Sequence, residues 1–108
     1  CALPIFGAAV VGGMGLAPAA NINPEKQFPS MFEPVHGSAP DIAGRLIANP
    51  IAQVWTGAMM LDHLGVPAAA TMMRTAVERA LAAGHRTRDL GGKLTTAQMG
   101  QAVADHLP

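Results

Sequence analysis

Apolar residues form several runs along the chain, separated by stretches rich in glycine, proline or polar residues. Residues 2–11 (ALPIFGAAVV) predict the end of a buried helix, and glycines at positions 12, 13 and 15 then permit tight turns with positive φ. Residues 15–23 read as short and partly extended, and residues 24–30 as an exposed polar turn. Met31 to Val35 predicts one short buried strand, with Pro34 near an edge or a strand end.

Two helices are predicted in the second half of the chain. Asn49 is a good cap and Pro50 suits a first helical turn, so we expect a helix that ends before Gly65 and Pro67. A second helix is predicted over 68–83. The residues expected to face inward are Ile51, Val54, Trp55, Ala58, Met59, Met60 and Leu61 in the first helix, and Met72, Met73, Val77, Ala80 and Leu81 in the second.

The last part of the chain is predicted to be a loop followed by a final helix. Residues 84–95 are rich in glycine and polar residues, as loops are. Thr95 and Gln98 have the spacing of a capping box, which begins a helix carrying Met99, Val103 and Leu107. The pattern as a whole predicts mostly helix with a few short strands.

Composition and charge narrow the possible classes. The 108 residues are 50% hydrophobic and 13% charged, against about a quarter charged in typical soluble domains. Such a chain is expected to bury several faces against further protein, so we read 1–108 as a single partial domain. Formal net charge is zero, which argues against nucleic acid or a membrane surface as partners. The one cysteine, Cys1, fits a reducing cytoplasm.

The stretch FEPVHGSAPDIAGRLIANP (32–50) concentrates conformationally special residues. Residues 37–39 have small side chains that let another molecule approach the backbone. Asp41 can accept hydrogen bonds from a vicinal diol, the His36 ring can stack, and the Asn49 amide can pair with a heterocycle edge. These residue types would suit a nucleoside pocket. They would equally suit a rigid loop between domains, in which Asp41 and His36 serve only turns and caps.

Two longer segments carry a family resemblance. GLAPAANINPEKQFPSMFEPVHGSAPDIAGRLIANPIAQVWTGAMMLDHLG and TRDLGGKLTTAQMG resemble the β-decarboxylating dehydrogenases, the family of isopropylmalate and isocitrate dehydrogenases. Within that family, the sequence of the first segment is most similar to the tartrate and D-malate dehydrogenase branch. The resemblance implies an α/β fold, as the C-terminal part of an isopropylmalate dehydrogenase-like fold. That fold is not a Rossmann fold, and GGMGLA (12–17) does not satisfy the GxGxxG pattern.

The resemblance also implies a set of NAD-binding residues. They are Glu33, His36, Gly37, Ser38, Ala39, Asp41, Ile42, Asn49 and Asp89. His36 and Asn49 would contact adenine, Asp41 the adenine ribose hydroxyls, and Glu33 the nicotinamide ribose. Asp89 would lie at the adenine end, although TRDLGG also reads as a turn between helices. The glycines at positions 12, 13 and 15 are expected either to permit close packing near the cofactor or to form a bare turn.

Cofactor choice follows from the same resemblance. NADP-using relatives carry lysine and tyrosine where this chain has Asp41 and Ile42. A carboxylate about 4 Å from the 2′-phosphate of NADP would be repelled by roughly 1 kcal/mol in water, or about 4 kcal/mol at an effective dielectric of 20. Asp41 therefore predicts NAD. The family's Mg²⁺ or Mn²⁺ ligands, its arginines and its catalytic lysine and tyrosine belong to segments that are not matched here, so no catalytic or metal residue is assigned.

The resulting expectation is the NAD-binding, C-terminal fragment of an oxidoreductase acting on a 2-hydroxy diacid such as tartrate or D-malate. The complete enzyme is expected to be a cytoplasmic homodimer that uses Mg²⁺ or Mn²⁺, and the fragment alone is expected to be inactive. Two alternatives stay open at this point. One is a 3-isopropylmalate dehydrogenase, and the other is a truncated non-catalytic product that binds nucleotide or associates with a full-length subunit.

Overall fold

The computed structural model describes residues 3–108, with side chains described from Phe6 onwards, so the expectation for Cys1 lies outside the described residues. These residues form mostly helix with one small sheet, as predicted. The helices are α1 (Leu3–Val10), α2 (Ile51–His63), α3 (Pro67–Ala82) and α4 (Thr96–Asp105), and the strands are β1 (Pro18–Asn21) and β2 (Met31–Pro34). Short 3-10 turns lie at Met14–Leu16 and Arg88–Leu90.

Helices α2, α3 and α4 surround the main core, which determines where the loops between them lie. The buried cluster contains Ile51, Ala76, Val77, Ala80, Met99 and Val103. Alanines on α3 let the helices approach closely, and the larger Ile51 and Met99 fill the space between them. Leu90 and Leu94, from the loop between α3 and α4, pack against the cluster. This packing holds that loop close to the start of α2.

Local capping signals explain where α2 and α4 begin. The side-chain oxygen of Asn49 accepts a hydrogen bond of 2.9 Å from the Ile51 amide, which the first turn of α2 leaves without a helical partner. Thr95 and Gln98 form the predicted capping box, since each side chain accepts from the other residue's amide. Both predicted helix starts are therefore confirmed to within about a residue. The turn after α2 contains Gly65, at a φ of 82°, which allows the left-handed backbone there.

The two strands pair as an antiparallel ribbon with one face on α2 and the other open. Pro18 pairs with Pro34 at one end of the ladder, which confirms the placement of Pro34 at a strand end. The prediction that this strand is buried is wrong. Side chains alternate across a strand, so Phe32 points towards α2, where its ring lies 5.5 Å from that of His63, while Met31 and Glu33 are exposed on the open face.

Several other burial predictions are also wrong. Helix α1 forms as predicted, but Phe6 and Val10 are 67% and 87% exposed, because within the described residues α1 packs mainly against the 3-10 turn Met14–Leu16. Met60 on α2 and Met72 on α3 lie on the solvent side of their helices, and Leu107 follows the end of α4 and is half exposed. Apolar residues on a helix indicate where other protein could pack. Among the described residues, nothing covers these exposed side chains.

None of the helices described between residues 3 and 108 is both long enough and apolar enough to cross a bilayer.

Candidate functional site

An open cleft of about 560 Å³ lies beside the start of α2. Four parts of the chain form it: the segment 36–49, the 3-10 turn Met14–Leu16, the loop between α3 and α4, and the first residue of α4. The lining residues are Met14, Gly15, His36, Gly37, Ser38, Ala39, Ile42, Ala43, Gly44, Leu46, Ile47, Ala48, Asn49, Arg88, Asp89 and Thr96. The volume is within the range of small-molecule sites, about 300–1,000 Å³.

The wall of the cleft is a turn that depends on left-handed backbone. Ala39 has a φ of 43°, and its carbonyl accepts hydrogen bonds from the amides of Ile42 (3.0 Å) and Ala43 (3.1 Å). Gly44 and Leu46 also have positive φ, at 75° and 58°. Positive φ is costly for residues other than glycine and occurs mainly where surrounding structure imposes it. The segment thus holds a fixed concave shape although it contains no helix or strand.

The first residue of helix α4 anchors the end of this segment, although the two are distant in sequence. The Thr96 amide donates to the Leu46 carbonyl at 3.0 Å, and the Thr96 hydroxyl donates to the Ala48 carbonyl at 2.6 Å. One residue at the start of α4 therefore holds two carbonyls of the cleft wall. These contacts explain how Leu46 can keep a strained backbone and an exposed side chain.

The polar end of the cleft is a small hydrogen-bond network. The Asn49 amide nitrogen donates to one carboxylate oxygen of Asp89 at 2.9 Å, and the Thr87 hydroxyl donates to the other at 2.6 Å. Gly15 lies directly beside this pair. A Cβ atom at Gly15 would lie 2.9 Å from the Asp89 carboxylate and 3.2 Å from the Asn49 side chain. Glycine at this position leaves room for the pair.

The rest of the cleft is mostly apolar and suits a flat ring. Met14, Ile42, Leu46 and Ile47 line it with aliphatic or thioether groups, and Arg88 adds a cationic side chain at the polar end. At the other end, Nδ1 of His36 lies 2.9 Å from its neighbour's carbonyl at Gly37. A carbonyl only accepts, so Nδ1 carries the proton in this contact and Nε2 can accept from a ligand.

The structure brings together seven of the nine residues that the resemblance implied. His36, Gly37, Ser38, Ala39, Ile42, Asn49 and Asp89 line the cleft. Asp41 is exposed on the turn between the lining residues Ala39 and Ile42, outside the lining itself. Glu33 is exposed on β2 and does not line the cleft. The roles of these nine residues towards a cofactor remain predictions.

Sequence reasoning did not single out several residues that shape the site. Met14, Arg88 and Thr96 line the cleft, and Thr87 supports Asp89 from a fully buried position. Gly15 and Thr87 belong to the motifs GGMG and TRDLGG, which the sequence marks as turns. That turn pattern is the signal that could have identified both residues. The role of Thr96 had no local signal, because its hydroxyl acts on a carbonyl distant in sequence.

The described residues do not supply a set of ligands for the divalent metal that the resemblance implies. Among residues 3–108, as far as their side chains are described, no three His, Cys, Asp or Glu side chains converge closely enough to hold an ion. The carboxylate at the cleft, Asp89, already accepts from Asn49 and Thr87. We therefore derive no step through a metal bound to this chain.

Sequence comparison finds relatives with a consistent activity. The chain is 54% identical over 107 residues to the tartrate dehydrogenase/decarboxylase of Pseudomonas putida, a match covering 94% of this chain and 29% of the relative. It is 52% identical over 103 residues to the D-malate dehydrogenase (decarboxylating) of Escherichia coli, covering 91% and 28%. The chain thus spans somewhat under a third of the length of these curated relatives.

Solved structures show the same fold. The isocitrate dehydrogenase of Methylococcus capsulatus superposes with a TM-score of 0.89 at 42% identity, over 97% of this chain and 31% of that chain. A β-decarboxylating dehydrogenase of Thermococcus kodakarensis gives 0.84 at 37% identity, over 94% and 29%. The family model for isocitrate/isopropylmalate dehydrogenase matches residues 6–103. The predicted fold is confirmed, and the chain belongs to the isocitrate/isopropylmalate dehydrogenase family.

Proposed function

We propose that this chain is the NAD-binding part of an oxidoreductase that oxidises, and in the complete enzyme decarboxylates, a 2-hydroxy diacid such as tartrate or D-malate. The observation that carries the proposal is the cleft at the start of α2, with apolar walls and the Asn49–Asp89 pair at one end. Relatives named for tartrate and D-malate support the substrate class.

The cleft offers the adenosine half of NAD complementary groups at each end. Aliphatic side chains such as Ile42 and Ile47 pack on the faces of a purine, and the Asn49–Asp89 pair meets its polar edge. His36 presents a ring for stacking and a free Nε2. Asp41, exposed at the rim, accepts hydrogen bonds from the ribose hydroxyls. A cleft of about 560 Å³ is large enough for an adenosine.

Bound NAD would supply the hydride acceptor, and this chain would supply binding and orientation. Its residues hold the adenosine end, which fixes the dinucleotide relative to a substrate site built from other residues. The complete enzyme is proposed to use Mg²⁺ or Mn²⁺ held outside this chain's described residues, and to act as a homodimer in the cytoplasm. No residue of the cleft is proposed to take part in proton or hydride transfer.

Asp41→Lys is expected to shift the cofactor preference from NAD towards NADP. Repulsion of roughly 1 kcal/mol between Asp41 and a 2′-phosphate about 4 Å away becomes attraction of similar size. The total of about 2 kcal/mol changes the ratio of NAD to NADP affinity by roughly 30-fold. The measurement is calorimetric titration of both dinucleotides into the unaltered and altered chains.

Glu25→Lys is the matched control for that change. Glu25 is an exposed carboxylate in the polar turn before β2, so its substitution makes the same change in net charge outside the cleft. We expect this variant to keep the unaltered preference to within about twofold, since Glu25 does not line the cleft and salt screens interactions between exposed charges. If the Asp41→Lys and Glu25→Lys variants had the same ratio of NAD to NADP affinity, the role given to Asp41 would be refuted.

A further inference from the structure

Thr87 is a buried polar residue just behind the cleft. Its side chain is fully buried, and its hydroxyl donates to Asp89 at 2.6 Å, which satisfies the hydroxyl proton inside the protein. Its carbonyl accepts from the amides of Leu90 (3.1 Å) and Gly92 (2.8 Å). Thr87 is therefore held from both its backbone and its side chain, and it gives Asp89 a fixed attachment point.

Asp89 in turn determines the orientation of the Asn49 amide. Asn49 uses its oxygen to accept from the Ile51 amide at 2.9 Å and its nitrogen to donate to Asp89 at 2.9 Å. The two contacts are chemically distinct, since the first needs an acceptor and the second a donor, so only one of the two amide orientations satisfies both. One N–H of Asn49 remains for a ligand, with its direction fixed by the other.

Gly15 completes the arrangement by leaving space. A side chain there would press on the Asp89 carboxylate at 2.9 Å and on Asn49 at 3.2 Å. The carboxylate end can rotate away, but it would then lose its alignment with Asn49. Three parts of the chain that are distant in sequence therefore meet at one amide group, and the buried hydroxyl of Thr87 is the member farthest from the cleft.

We propose that Thr87 is a positioning residue of the nucleotide site, whose hydroxyl holds Asp89 and through it the Asn49 amide in the orientation that meets the purine edge. This inference rests on the proposed NAD-binding function. It assigns a role to a residue that does not line the cleft. The hydrogen bonds run from Thr87 to Asp89 and from Asn49 to Asp89, with both carboxylate oxygens occupied.

The test compares Thr87→Val with Thr87→Ser in the full 108-residue chain. Valine keeps the shape and removes the hydroxyl, whereas serine keeps the hydroxyl. The first readout is the side-chain amide signal of Asn49 in ¹⁵N NMR spectra, assigned with Asn49→Ala among the three asparagines of the chain. We expect Thr87→Val to move this signal towards that of the exposed Asn21, and Thr87→Ser to leave it close to the unaltered position.

The second readout is NAD affinity by calorimetry. Thr87→Val is expected to weaken NAD binding roughly tenfold, and Thr87→Ser to restore it to within about threefold, since hydrogen bonds to charged groups contribute more than neutral ones. If Thr87→Val does not fold, Gly15→Ala serves as the second variant. Its added Cβ displaces the Asp89 carboxylate, and the same movement of the Asn49 signal and the same loss of affinity are expected.

Two results would overturn the inference. One is an Asn49 amide signal that stays in place in Thr87→Val, or in Gly15→Ala where that variant is used. The other is a moved signal with unchanged NAD affinity, which would make the network structural only. Failure of the unaltered chain to bind NAD would instead contradict the proposed function, and the Asn49 signal would still decide whether Thr87 orients the amide.

Discussion

Gly92→Ala is expected to destabilise the chain by more than about 3 kcal/mol and to disrupt the loop that carries Thr87 and Asp89. A Cβ atom at Gly92 would overlap the carbonyl group and Cβ of Arg86. The backbone has little freedom to move away, because the Gly92 amide donates to Thr87 and the Leu94 amide donates to Arg86. Overpacking against backbone is at the severe end of such substitutions. Urea unfolding followed by circular dichroism measures the loss.

Gly100→Ala provides the matched control. Gly100 lies within α4, and apart from its chain neighbours and the backbone of its own helix no atom lies within 4 Å of an added Cβ. The same chemical change is therefore expected to raise the free energy of unfolding by about 0.5–1 kcal/mol, since alanine favours a helix over glycine. The two substitutions should differ in sign. A Gly92→Ala variant as stable as the unaltered chain would show that the loop between α3 and α4 is not packed as described.

Ile51→Ala is expected to cost about 2–5 kcal/mol in the free energy of unfolding. Ile51 is fully buried, begins α2 and belongs to the cluster that joins α2, α3 and α4. Removing three carbons there leaves a cavity between helices that cannot easily close. Because Ile51 follows Asn49 by two residues, the same loss should loosen the polar end of the cleft. Denaturant unfolding gives the first effect, and the Asn49 side-chain NMR signal gives the second.

Ile22→Ala is the control for this prediction. Ile22 directly follows β1 and is 50% exposed, so the same atoms are removed from a site that is already partly solvated. We expect a cost below about 1 kcal/mol there. If both isoleucine variants lost similar stability, the buried cluster would not be the main source of stability in this chain.

Local signals predicted the helix starts well, and the reason is physical. Asn49 and Thr95 act on amides two or three residues away, so the hydrogen bonds they make are determined within a single turn. The stop at Gly65 is equally local, since a left-handed backbone favours glycine. These elements could be placed from the sequence because the interactions that define them are short in range.

Burial could not be predicted in the same way. Val10 and Met72 are apolar residues on helices, yet both are exposed. An apolar side chain indicates that burial against other protein would be favourable. It does not indicate which residues would cover it. The chain spans somewhat under a third of its curated relatives' length, and a pattern within it cannot specify what packs on its outer faces.

The residues of the cleft wall could be predicted from the sequence, whereas the contacts that hold them in place could not. Small residues and an Asn–Asp–His set within 32–50 indicate a possible nucleoside pocket, and the resemblance implies roles for those residues. The supporting contacts join residues that are distant in sequence, such as Asn49 to Asp89 and Thr96 to Ala48. A local sequence pattern therefore does not predict them. Asp41 lies at the rim and outside the lining of the cleft, and its contact with the ribose hydroxyls stays a prediction.

Calorimetric titration of NAD into the 108-residue chain, with competition by its two halves, tests the central claim most directly. If the cleft holds adenosine, NAD binds with one site per chain, adenosine 5′-monophosphate competes with it, and nicotinamide mononucleotide does not. Asn49→Ala, which removes the amide from the polar end, should weaken binding of NAD and of adenosine 5′-monophosphate by similar factors. Saturable NAD binding that only nicotinamide mononucleotide displaces, or no NAD binding by a folded chain, would contradict the account.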